Sequence, residues 1–250
     1  MNTVLFDLDG TLLPMDQKLF MDTYFTALAA KMAPYGLEPN TLMKSVWEGT
    51  RAMVENDGSV TNSKRFWDSF SGSLGENIRK LEYVFEDFYR NEFTITKRNI
   101  STNKFSKECI RVLKEKGYTL VLATNPLFPR IATYHRIEWA GLNSEDFELV
   151  TTYENSSFCK PNLNYYKAIL ETIGKKPEEC IMVGNDVKED MCVTHIGMGT
   201  YLLKDCLINS SEEDITAYRQ GDFPEFMEFI NDLPVLDKIT APNNYIRQEV

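Results

Sequence analysis

From residue 103 to residue 203 the chain repeats one unit: a helical run closed by a glycine, then a short apolar stretch rich in β-formers. The run at 104–116 stops at Gly117, and 118–123 reads as a strand ending in Thr124-Asn125-Pro126. The run at 128–140 stops at Gly141, before a strand at 147–152. A helix from Pro161 to residue 173 stops at Gly174, and the strand at 180–183 ends in Gly184-Asn185-Asp186. A last helix at 188–196 stops at Gly197, before a strand at 200–203. Strands separated by single helices become parallel neighbours through right-handed crossovers. The expected fold is therefore α/β, a doubly wound parallel sheet of the Rossmann-like kind, whose ligand site lies beyond the carboxyl ends of the strands where the strand order reverses.

The first strand precedes all of this. Residues 4–6 are apolar, and Asp7-Leu8-Asp9-Gly10-Thr11-Leu12 follows directly. Strand alternation points Asp7 and Asp9 the same way. Two like charges at one strand end require a cation, a shared proton or open solvent. A solvated strand-to-turn junction with Gly10 as the turn residue is equally compatible with this stretch alone.

Between this strand and the repeats, residues 15–99 change character. Helical spacing predicts helices over 17–32, 40–54, 63–70 and 77–89, with no alternating strand pattern among them. The expected organisation is a catalytic core of 1–14 and 100–250 with a helical cap domain of 15–99 spliced in beside the carboxylates. Such an insert serves either as a lid or as fixed packing. In the tail, Ser210, Ser211 and Glu213 resemble a helix start, and Phe223, Phe226, Met227 and Ile230 are expected to cover one edge of the sheet. The last ten residues, with Pro242, Asn243 and Asn244, read as a loosely held end.

Composition narrows the partners. With 37 acidic against 27 basic residues the net charge is −10, which argues against a nucleic-acid surface or an anionic membrane. A phosphorylated metabolite remains compatible where a divalent cation and local cationic groups neutralise it. The five cysteines are scattered without a Cys-x-x-Cys pair, no leader pattern precedes the first strand, and no apolar run reaches the roughly 18 residues of a membrane span. A reduced, cytoplasmic protein is expected. Its two histidines, His135 and His195, fall on predicted helices as packing or surface residues.

Four short motifs now stand in order on strand and helix boundaries: Asp7-Leu8-Asp9-Gly10-Thr11-Leu12, Thr124, Lys160-Pro161, and Gly184-Asn185-Asp186 with Asp190 four residues on. In this the chain resembles the haloacid dehalogenase-type hydrolase superfamily over nearly its whole length, the tail excepted. The resemblance implies a phosphatase-like member acting through an aspartyl-phosphate. Asp7 would be the nucleophile, and Asp9 the acid that protonates the leaving alcohol and then the base that activates water. Mg²⁺ would be held by Asp7, Asp186 and the backbone carbonyl of Asp9. Thr124 and Asn125 would bind the phosphoryl group with Lys160, which also balances Asp7, and Asp190 would orient that lysine or metal-bound water.

The pattern departs from the family in places. Asn185 separates Gly184 from Asp186, Thr194 and His195 stand where smaller residues are expected, and Glu189 offers an alternative register to Asp190. An aspartate at position 9 favours a phosphatase or a phosphomutase over a dehalogenase. The expected activity is Mg²⁺-dependent hydrolysis of a small phosphorylated metabolite. The alternatives are a sugar phosphomutase with the same residues, or a non-catalytic metal-binding regulator using aromatics near Phe66 and Trp67. No clear cap lysine of the kind used by phosphonate-cleaving relatives stands out, Lys44 and Lys64 being the available ones. Arg51, Lys64, Arg65 and Trp67 are the candidates for choosing substrate.

Overall fold

The computed structural model describes residues 1–101 and 103–236. Six parallel strands form one sheet: β1 (Thr3–Phe6), β2 (Thr119–Leu122), β3 (Leu149–Val150), β4 (Cys180–Gly184), β5 (Gly199–Leu203) and β6 (Gln220–Gly221). Their order across the sheet is β3-β2-β1-β4-β5-β6. Phe6 of β1 lies level with Leu122 on one side and Val183 on the other. The order thus reverses at β1, and the carboxyl ends of β1, β2 and β4 open onto one crevice.

Both faces of the sheet are buried, which is why its strands read as continuous apolar runs. Val4, Phe6, Leu122 and Val183 belong to one core cluster, while Leu5, Val121 and Met182 alternate into a second. Four helices fall within residues 15–99: α1 (Gln17–Met32), α2 (Pro39–Val54), α3 (Asn62–Leu74) and α4 (Glu82–Arg90). Asp16 caps α1 by accepting the Leu19 N–H at 2.9 Å, and Thr61 caps α3 through the Lys64 N–H at 3.3 Å. Aromatic rings tie this segment to itself and to the core: Phe70 meets Phe85 edge-on at 5.5 Å, and Phe93 stacks on Trp139 at 5.6 Å. The chain leaves and returns at one place, where Met15 bridges Ile100 and the Ser101 N–H donates to the Pro14 carbonyl at 3.1 Å.

The remaining helices are α5 (Lys104–Glu115), α6 (Arg130–Trp139), α7 (Leu163–Ile173), α8 (Val187–Asp190) and α9 (Phe223–Asp232). Several expectations need correction. The third strand contracts to two residues, the predicted 77–89 helix divides into a 3-10 turn, Glu76–Leu81, and α4, and the 188–196 helix divides into α8 and a 3-10 turn, Met191–Ile196. Ser210, Ser211 and Glu213 start no helix. The stretch forms turns, and α9 begins at Phe223 under a capping box made by Asp222 and Glu225. Nor do the tail aromatics cover an edge: β6 occupies it, and α9 lies on a face, with Phe226 against Phe6 at 6.1 Å and Tyr201 at 4.8 Å. The last ten residues lie outside the described ones. Among the described residues no helix is long and apolar enough to cross a membrane.

Because Phe226 is fully buried against the central strand, Phe226→Ala is expected to cost about 3–5 kcal/mol in urea unfolding. A loss below about 1 kcal/mol would show that α9 is a dispensable cover.

Candidate active site

β1 ends at Phe6, yet the Asp7 N–H still donates to the Val183 carbonyl at 2.9 Å, so Asp7 is pinned between β1 and β4. Beyond it the chain turns at Gly10, whose φ of +85° suits glycine. A Cβ there would also collide with the Asn185 amide. Asp7 and Asp9 thus face one cavity because of this turn, and strand alternation, which ends at Phe6, contributes only up to that point. The cavity encloses about 270 Å³, with Asp7, Asp9, Thr124, Asn125, Asp186 and Asp190 in its wall.

Lys160 is the hub of the site. Its side chain is fully buried, and its ammonium donates to Asp7 Oδ1 at 2.8 Å and to Asp190 Oδ1 at 2.6 Å. Burial alone would pull its pKa down, but the charges of Asp190 and Asp7 outweigh this and hold it well above the ordinary lysine value. Two carboxylates therefore share one permanent positive charge. Burial pushes the Asp190 carboxyl up to about 7, against the pull of Lys160. The other oxygen of Asp190 accepts the Asp186 N–H at 3.0 Å. Asp190 packs so closely that a Cβ at Gly184 would overlap its carboxylate. The Lys160–Pro161 peptide is cis, and α7 starts two residues later under Asn162.

The other expected residues converge on the same place. Thr11 Oγ1 lies 3.1 Å from Asp7 Oδ2 and 2.9 Å from Asn185 Oδ1, so the variant Asn185 braces the loop after Asp7; its own amide donates to the Cys206 carbonyl at 2.7 Å. Asp186 spends one oxygen capping α8, accepting the Lys188 and Glu189 N–H groups at 2.9 Å. Thr124 is buried at the end of β2, its carbonyl held by the Thr151 hydroxyl at 2.7 Å and the Tyr165 hydroxyl at 2.8 Å. Asn125 is committed to the protein: its amide donates to both Glu189 oxygens at 3.1 and 3.0 Å, and its carbonyl accepts the Lys160 N–H at 3.3 Å. Any anion contact at Asn125 thus falls to its main chain. Asp190 and Glu189, alternatives in the sequence, are both used, and burial lifts Glu189 to about 7.

Sequence reasoning missed Arg136. This residue of α6 is almost completely buried, and its guanidinium pairs with Asp9 Oδ2. It also donates to Thr133 Oγ1 at 3.2 Å and sits 4.7 Å over the Phe128 ring. Asp9 Oδ1 is buried without a partner among the described residues. Burial raises the Asp9 pKa above the usual carboxylate range, with Arg136 pulling the other way. The signal in the sequence was an arginine at i+4 from Ala132 on the apolar stripe of a helix, a place that a cation occupies only with a buried partner.

Five carboxylates, Asp7, Asp9, Asp186, Glu189 and Asp190, border the cavity, against Lys160 and Arg136 as fixed cations. That excess of negative charge suits a divalent cation. Among the described residues no three acidic, histidine or cysteine side chains form a ready-made cage. Among the same residues no backbone N–H donates to the Asp9 carbonyl. The oxygen donors of Asp7, Asp186 and the Asp9 main chain are of the kind that would suit Mg²⁺, with water or substrate oxygens completing its shell.

Of the residues proposed to choose substrate, only Trp67 lines a neighbouring cavity. Lys64 pairs with Asp68 at 2.8 Å, and Arg65 is bound to Asn56 and Asp57. Arg51 stands exposed, outside the walls of both cavities, and Lys44 lies on the surface 3.9 Å from Glu48.

Comparison with known proteins gives consistent results. The family model described as haloacid dehalogenase-like hydrolase matches residues 1–191. A phosphoglycolate phosphatase of Aquifex aeolicus is 26% identical over 234 residues, 91% of this chain and 97% of that one. A glyceraldehyde 3-phosphate phosphatase of Methanothermobacter thermautotrophicus is 31% identical over 104 residues, which span 41% of this chain and less than half, 45%, of that relative. Among solved structures, YfnB of Bacillus subtilis, bound to magnesium, superposes with a TM-score of 0.55 at 20% identity, over 92% of this chain and 98% of that one.

Removing the shared cation while leaving both acids buried is expected to be costly: Lys160→Met should lose about 3–5 kcal/mol in urea unfolding. Adding Asp190→Asn should recover part of that loss, and strict additivity of the two changes would contradict the shared-charge arrangement.

Proposed function

The chain belongs to the haloacid dehalogenase-like hydrolases, and we propose that within them it is a Mg²⁺-dependent phosphomonoester hydrolase acting through an aspartyl-phosphate on a small phosphorylated metabolite. The observation that carries this reading is Lys160, buried between Asp7 and Asp190 at the point where the strand order reverses. It leaves Asp7 oriented toward a cavity that it shares with Asp9 and Asp186.

The steps follow from the positions of the side chains. Lys160 and Thr11 hold the Asp7 carboxylate, so that one oxygen attacks phosphorus in line with the departing ester oxygen. Asp9 gives its proton to that oxygen, releasing an alcohol. In the second half Asp9, now a carboxylate, takes a proton from the water that attacks the aspartyl-phosphate, which returns Asp7 and frees phosphate. Burial raises the Asp9 pKa, which favours its holding that proton. The Thr124 hydroxyl and nearby main-chain N–H groups are suited to hold phosphoryl oxygens. Mg²⁺, held by the Asp7 and Asp186 carboxylates and the Asp9 carbonyl, supplies charge neutralisation when bound. We read residues 15–99 as a cap on a core of 1–14 and 100–250, supported by the adjacent linkers at Met15 and Ile100. A cytoplasmic setting fits five cysteines that are all unpaired.

Arg136 acts through Asp9 as a positioning residue. It fixes the carboxylate and offsets part of the burial effect on its pKa.

Purified protein with Mg²⁺ is expected to release phosphate from an aryl phosphate, and to lose this with EDTA or Asp7→Asn. Absence of turnover across a broad phosphomonoester panel would sink the reading. Asp9→Asn should reduce kcat by about 10²–10⁴. Because Arg136 lowers the Asp9 pKa, Arg136→Met should move the alkaline limb of the single-turnover phosphorylation rate to higher pH. An unmoved limb with reduced rate would assign Arg136 to packing alone.

A further inference from the structure

Directly beyond the carboxylate cavity lies a second one of about 370 Å³, and the two share Met21, Leu127 and Phe128 as walls. Its lining is aromatic: Tyr24, Phe25, Trp47, Phe66, Trp67 and Phe85 come from α1 to α4 and face Leu127 and Phe128 of the core. An apolar cavity of about 150 Å³ accepts a benzene ring, so this chamber has room for a bicyclic group.

Its polar groups are of two kinds. Neutral hydroxyls include those of Tyr24 and Tyr89, 2.9 Å apart, with burial pushing Tyr24 up to about 12. The charged groups are all acidic: half-buried Glu82, with exposed Glu86 and Glu154. Among the described residues no lysine, arginine or histidine lines it. An ester whose far end carried a carboxylate or a second phosphate would bring an unpaired anion against apolar rings and glutamates, at a high desolvation cost. Asn62 seats the start of α3 on the core: it is fully buried, its N–H donates to the Ser156 carbonyl at 2.8 Å, and its amide donates to the Phe158 carbonyl at 3.2 Å.

Resting on the phosphomonoesterase reading, we propose that this chamber receives the leaving alcohol and selects phosphomonoesters of uncharged aromatic alcohols over small esters bearing a second anionic group. The phosphoryl group sits at Asp7, and the ester oxygen beside Asp9 directs the alcohol past Phe128 into the aromatic chamber. This chain thus parts in substrate class from the relative named for phosphoglycolate.

The test compares kcat/KM of the full chain in Mg²⁺ for 1-naphthyl phosphate, methyl phosphate, phosphoglycolate and pyrophosphate. Naphthyl phosphate should exceed phosphoglycolate and pyrophosphate, the two competitors bearing a second anionic group, by about tenfold or more. Thr50→Trp, filling the chamber from α2, should lower the naphthyl-to-methyl ratio about tenfold. Calorimetric binding of 1-naphthol, weakened by the same substitution, provides a readout independent of turnover. Faster cleavage of phosphoglycolate or pyrophosphate overturns the chamber proposal while the phosphatase reading stands. If no ester is cleaved above the Asp7→Asn background, the phosphatase reading fails; saturable naphthol binding then still supports an aromatic-ligand chamber, and its absence overturns that as well.

Discussion

One buried ammonium holds the site together. Lys160 reaches from the loop before α7 to Asp7 after β1 and to Asp190 in α8, so three segments far apart in sequence meet on a single charge. Its removal would leave two acids facing each other away from water. The geometry follows from the sheet: β1 and β4 are hydrogen-bonded neighbours, so Asp7 and the β4 loop emerge side by side. Gly184, Asn185 and Thr11 make that closeness possible, the first by having no side chain where Asp190 packs and the others by bracing the turn after Asp7.

A second ion pair sets off Asp9 from Asp7. Arg136 of α6 meets Asp9 without itself lining the cavity. The two acids of one turn therefore have different cations, and one buried oxygen of Asp9 has no partner among the described residues. That separation is what distinct roles for two neighbouring carboxylates require.

Much of the core was legible in the sequence because glycines punctuate it. Gly117, Gly141, Gly174 and Gly197 mark helix ends, and strand, crossover and switch-point reasoning then place Asp7, Thr124 and Asp186 together. The burial of Arg136 had a signal in the apolar stripe of its helix, but its partner was not legible, since Asp9 lies 127 residues away. The tail misled for another reason. Ser210, Ser211 and Glu213 match a capping pattern, but the residues that follow offer only Ile215 and Tyr218, partly buried against a small cluster, whereas Phe223, Phe226 and Ile230 are buried in the main core. Cations in the 15–99 segment drew attention as substrate contacts, yet Lys64 and Arg65 are engaged by nearby acids and turns. What the segment gathers around the neighbouring cavity is mainly aromatic.

The side-by-side linkers at Pro14–Met15 and Ile100–Ser101 carry a further meaning. An excursion that starts and finishes at one point places no length requirement on the sheet that hosts it, because strand order and register are the same whatever lies between. The host can keep its phosphoryl chemistry constant while the guest is lengthened, shortened or exchanged. The insert thus contributes Gln17, Phe20 and Met21 to the wall of the carboxylate cavity without altering the register of the strands beneath it.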